Sequence, residues 1–119
     1  MAALAAFAAV LAAATPAAST GQSAASCPRR YVCFWEFGDF SGKRISFDLR
    51  HSPSGNPINL SDQGLKEARS AYNRSGWDVR VTTGKNGSGA SRCLHPGGQT
   101  GFVLTPIKSF IAYGGTTGC

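Results

Sequence analysis

The sequence predicts an all-β protein, a small β-sandwich made of two Greek-key halves. Three features point there. Beyond an Ala-rich start, apolar residues alternate with period two and never sustain a helical stripe. Gly, Pro and Ser separate these short runs. Four cysteines, Cys27, Cys33, Cys93 and Cys119, lie after that start, an even number suited to stapling a small exported domain.

Taken in chain order, residues 1–26 carry no charge. Their apolar run from Ala2 to Ala14 is shorter than the ~20 residues that span a bilayer, and small residues follow it. This predicts a secretory signal peptide cleaved within 19–26, although Met1 is followed by Ala2 rather than by the usual basic region. A single domain is then expected over 27–119, secreted and monomeric, with no membrane span.

Within it, Tyr31 to Glu36 and Arg44 to Leu49 read as a hairpin through the Gly38 to Gly42 turn. A polar loop from His51 to Asp62 holds Pro53, Gly55 and Pro57, with a short third strand around Ile58 and Leu60. Leu65 to Arg69 is expected to form a helical turn, and Ser70 to Asn73 a strand. Trp77, Val79 and Val81 alternate with Asp78, Arg80 and Thr82, the clearest half-buried strand. After the loop from Gly84 to Ser91, strands are expected at Arg92 to His95, Phe102 to Leu104 and Ser109 to Tyr113.

Charge and cysteine count narrow the function classes. The chain carries twelve Lys and Arg against six Asp and Glu, a formal charge of +6. The basic residues are spread singly except at Arg29-Arg30 and Lys43-Arg44, so no aromatic-interleaved nucleic-acid stripe is seen. Of the three possible disulfide connectivities, Cys27–Cys33 with Cys93–Cys119 is favoured, because the first pair encloses only five residues and the second flanks the C-terminal third. There is no CxxC pair, and His51 and His95 stand apart, so neither a zinc site nor a cofactor is expected. No Ser/His/Asp arrangement or phosphate-binding Gly loop is present, which argues against an enzyme.

Trp35-x4-Phe40-x-Gly42 resembles the aromatic-x4-aromatic-x-Gly motif of βγ-crystallin Greek keys. The Cys27-Pro-x-x-Tyr-Val-Cys33 opening, Asn59-Leu60-Ser61-Asp62, Arg69-Ser70-Ala71-Tyr72-Asn73 and the Asn86-Gly-Ser-Gly…Cys93 segment together resemble peptidase inhibitor family I36, related to the Streptomyces metalloproteinase inhibitor. The resemblance implies a βγ-crystallin-type sandwich whose surface loop enters an extracellular metallopeptidase like a substrate, with the reactive bond directly after a cysteine. Here that bond is Cys93-Leu94, with His95 and Pro96 completing the loop. Leu94 is expected either to fill the prime-side pocket of a thermolysin-like enzyme or to be a core residue of a strand. Gly97-Gly98 stand where the prototype closes a tight second cysteine loop, so a looser loop is expected.

Crystallin-type domains also bind calcium through an Asx-rich segment. The corresponding stretches, Lys66 to Ala71 and Thr105 to Phe110, put a lysine in one acceptor position and offer no carboxylate in the other, so calcium binding is expected to be weak or absent. Two other readings compete with inhibition: a crystallin-like structural or cell-surface-binding module, and a cationic killer-toxin-like antimicrobial protein.

Overall fold

The computed structural model describes residues 26–101, 103, 105–114 and 118–119. Residues 1–25 of the expected signal peptide, the expected strand residues Phe102 and Leu104, and residues 115–117 lie outside them.

The described residues form eight strands: β1 (Tyr31–Trp35), β2 (Arg44–Asp48), β3 (Pro57–Asn59), β4 (Ser70–Asn73), β5 (Asp78–Thr82), β6 (Ser91–Leu94), β7 (Gln99–Thr100) and β8 (Ser109–Tyr113). They make two four-stranded sheets, ordered β2-β1-β4-β7 and β3-β8-β5-β6. Each half of the chain thus lends one strand to the sheet of the other: β3 lies beside β8, and β7 beside β4. The predicted helical turn is displaced. A 3-10 helix occupies Leu60–Gln63, ended by Gly64, whereas Ala68 bridges to Ile107. No helix among the described residues is long and apolar enough to cross a membrane.

Alternation along the strands builds the core. Val32 and Phe34 from β1, Ala71 from β4, Val79 and Val81 from β5, and Phe110 and Ala112 from β8 face one another between the sheets. Phe34 and Phe110 stack with centroids 5.0 Å apart, and Phe47 meets Phe110 at 4.7 Å. A smaller cluster on the outside of the first sheet holds Cys27, Cys33 and Trp35, with Tyr31, Phe40 and Tyr72 packed on it. The Cys27–Cys33 and Cys93–Cys119 disulfides are both formed.

The Trp35-x4-Phe40-x-Gly42 turn folds back over its own sheet. Trp35 and Phe40 meet edge to face at 5.3 Å. Gly42 has φ +82°, and a Cβ there would lie 2.6 Å from the Phe37 ring, so only glycine fits. Buried Ser70 fastens the turn: its hydroxyl donates to the Phe37 carbonyl at 2.6 Å and accepts from the Phe40 N–H at 3.2 Å. Ser109 repeats the arrangement in the other half, donating to the Gly84 carbonyl at 2.6 Å and accepting from the Gly87 N–H at 3.0 Å. Thr82, Gly87 and Gly89 therefore occupy the places of Trp35, Phe40 and Gly42. This second motif carries no aromatic corner, which is why its sequence is silent.

Candidate functional site

The segment Ser91 to Gly98 contains every residue expected in the reactive loop, and the hairpin β5–β6 decides how each is presented. Val79 pairs with Leu94, Arg80 with Cys93, Val81 with Arg92 and Thr82 with Ser91. Residues directly opposite in a ladder share a face. Because Val79 and Val81 point into the core, Leu94 must do so as well.

Leu94 is 3% exposed and belongs to the main core. The alternative in which its side chain stands exposed for a peptidase pocket is corrected by this register. Cys93 falls on the outer face, disulfide-bonded to Cys119, while His95 and Pro96 follow at the surface.

Backbone polarity along β6 runs the other way. The N–H of Thr83 donates to the Ala90 carbonyl at 2.9 Å, so Thr83 and Ala90 are a hydrogen-bonded pair. Antiparallel ladders alternate, which makes Arg92 and Leu94 the bonded residues of β6 and turns the N–H and C=O of Ser91 and Cys93 away from β5. The Thr82 carbonyl agrees, since it accepts from Lys108 on the opposite side at 2.9 Å. Among the described residues β6 is the last strand of its sheet, so these groups line an edge with no further strand paired to it there. The carbonyl of the Cys93-Leu94 bond faces off that edge even though the Leu94 side chain faces in.

The disulfide from Cys93 closes the wide loop expected of it, to Cys119, while the turn directly after the strand is tight. The Gly98 N–H donates to the His95 carbonyl at 2.7 Å, with Pro96 at the second position and Gly97 at φ +88° in the third, the requirements of a type II turn. It is also tied to the other sheet: Gly97 N–H donates to the Asn73 carbonyl at 2.7 Å, and Asn73 N–H to the Gly98 carbonyl at 2.9 Å.

Asn73 is the residue that sequence reasoning missed. Its side chain is fully buried, and the amide nitrogen donates to the Leu94 carbonyl at 2.8 Å and the Trp77 carbonyl at 2.7 Å. Its amide oxygen accepts from the Ser75 N–H at 3.0 Å and the Ser75 hydroxyl at 2.6 Å. The available signal was parity: Asn73 lies two residues from Ala71, on the core-facing side of β4.

His95 has a 71% exposed side chain whose Nδ1 lies 2.9 Å from Asp78 Oδ1. The Cys93 sulfur is close to both, but it is already oxidised, so these groups offer a metal one imidazole and one carboxylate. Arg92 reaches across the open side of the sandwich to the Thr100 hydroxyl at 3.0 Å.

Comparison with known proteins agrees with this architecture. A solved structure described under "Evolution of the eye lens beta-gamma-crystallin domain fold" is similar over 75% of this chain and 91% of its own, with a TM-score of 0.58 and 18% identity, a likeness of fold. No curated protein matches the chain. The profile of peptidase inhibitor family I36 matches residues 20–94, ending at the last residue of β6. On that match, across more than half its length, the chain belongs to peptidase inhibitor family I36.

Proposed function

We propose that the protein is a secreted inhibitor of thermolysin-like metallopeptidases that docks through the free edge of β6 and the turn from His95 to Gly98. Family membership supports inhibition of a peptidase and a non-enzymatic role. The uncharged leader and the two disulfides support export, with the mature domain at 27–119.

The observation that carries the docking mode is the outward backbone of Cys93. Peptidases bind substrates as extended strands, and an unpaired strand edge supplies the main-chain donors and acceptors for such pairing. Cys93–Cys119 and the Asn73 bonds hold this edge in place beforehand, which lowers the ordering cost of binding. Leu94 stays in the core. Withdrawing it to fill a prime-side pocket would forfeit about 1.5–3 kcal/mol of burial, so the Cys93-Leu94 bond is engaged but cut slowly.

Titrating the oxidised protein against thermolysin and subtilisin in parallel tests this. Stoichiometric loss of thermolysin activity, with only slow cleavage after Cys93, is the expected result. An uninhibited thermolysin, with the protein intact, would overturn it.

A further inference from the structure

Four arginines from three separate parts of the sequence meet at one cleft. Arg29 and Arg30, Arg50, and Arg74 line a depression of about 370 Å³ whose apolar lining includes Leu49 and Trp77. The lining contains no carboxylate. Main-chain bonds assemble it: the Leu49 N–H donates to the Arg30 carbonyl, the Arg30 N–H to the Arg74 carbonyl and the Arg74 N–H to the Tyr31 carbonyl, each at 2.9 Å.

Two of the guanidinium groups are already oriented. Arg74 donates to the Cys27 carbonyl at 2.9 Å and lies 5.9 Å from the centre of the Tyr72 ring. Arg50 is held by the Asp48 carboxylate, with Nε 2.8 and 2.9 Å from its two oxygens. The side chains of Arg29 and Arg30 make no hydrogen bond or ion pair among the described residues, and Arg30 sits at φ +74°, where a long side chain is uncommon.

We infer that this cleft binds a phosphate-bearing ligand. Four arginines line the cleft against a single nearby carboxylate, Asp48, that Arg50 already engages, and a multiply charged oxyanion would balance them. The guanidinium fork matches phosphate oxygens in pairs. The volume lies in the range of small-molecule sites, with room for more than one phosphate group. The lining shares no residue with β6 or with the turn from His95 to Gly98, so the inference goes beyond peptidase inhibition.

Trp77 provides the readout, because Trp35 is buried at 1% exposure and the chain has no other tryptophan. The oxidised full chain would be titrated with sodium orthophosphate and with inorganic tripolyphosphate, ionic strength being held constant with sodium chloride. A saturable change in tryptophan fluorescence with either probe is expected, and not with chloride alone. Tighter binding of tripolyphosphate assigns the natural phosphate to a chain or ester, and equal binding to a single free group. Arg29→Gln and Arg30→Asn should each weaken binding roughly tenfold or more, the loss of one charge-assisted contact. Asn tolerates the positive φ at position 30, so that variant keeps the backbone. No saturable change with either probe, or unchanged affinity in a folded Arg29→Gln/Arg30→Asn double variant, would overturn the inference.

Discussion

The buried amide of Asn73 donates to the carbonyl of Leu94 across 2.8 Å, joining β4 of one sheet to the end of β6 in the other. The same side chain satisfies Trp77 and Ser75, so one residue fixes both the candidate docking strand and the turn that precedes β5. Asn73→Ala removes the amide donor shared by the Leu94 and Trp77 carbonyls and the acceptor of Ser75, and leaves a void in a fully buried position. The expected cost is about 3 kcal/mol, read as a lower urea midpoint, with faster proteolysis after Cys93 as β6 loosens.

Leu94 and Pro96 separate core from contact. Leu94→Ala should destabilise the fold by about 2–5 kcal/mol, yet inhibition by the remaining folded protein should change less than tenfold. Leu94→Asp would place an unpaired charge in the core and should unfold the domain. Pro96→Ala should cost under about 1 kcal/mol of stability while weakening inhibition measurably. If Leu94→Ala abolished inhibition with the fold intact, the side chain itself would enter the peptidase and the docking mode would be wrong.

The Cys93–Cys119 bridge closes a loop with a sequence separation of 26. Chain-entropy reasoning assigns such a crosslink about 3 kcal/mol of stability. A Cys93→Ala/Cys119→Ala variant should melt lower and be cut sooner by thermolysin. Its initial inhibition at low temperature should persist, because the register of β6 is set by β5 and not by the disulfide.

The Asp48 carboxyl is held below the usual carboxylate range, chiefly by the hydrogen bond from the Arg50 side chain and then by that from the Arg50 N–H. A depressed folded pKa means stability that is present above the unfolded value near ~3.9 and lost as pH falls through the folded one. Because the pair is solvated, the effect should be small. The urea midpoint should show an extra fall below about pH 4 that Asp48→Asn removes.

Much of the fold was legible because alternation and turn residues are local signals. β1, β2, β4, β5, β6 and β8 fall within a residue or so of the runs that announced them. β7 was not legible: Gln99–Thr100 is two residues without apolar alternation, made a strand only by pairing with Ala71 and Tyr72. The displaced 3-10 helix has the same origin, since Ala68 is captured by Ile107, a partner far along the chain.

The candidate site was legible in composition and not in orientation. Cys93, His95 and Pro96 reach the outer face or surface, but whether Leu94 pointed in or out depended on a register with β5 that a one-residue slip would reverse. The arginine cleft was illegible for a related reason. In the sequence Arg29-Arg30 is only an isolated basic pair, and tertiary hydrogen bonds bring Arg50 and Arg74 beside it.

Amide hydrogen exchange at Ser91 and Cys93, measured with and without one equivalent of thermolysin, tests the docking strand most directly. The account predicts rapid exchange in the free protein, where both N–H groups face off the edge, and strong protection of both in the complex. Unchanged exchange at these two amides, with protection appearing instead around 52%-exposed Phe37, would contradict it.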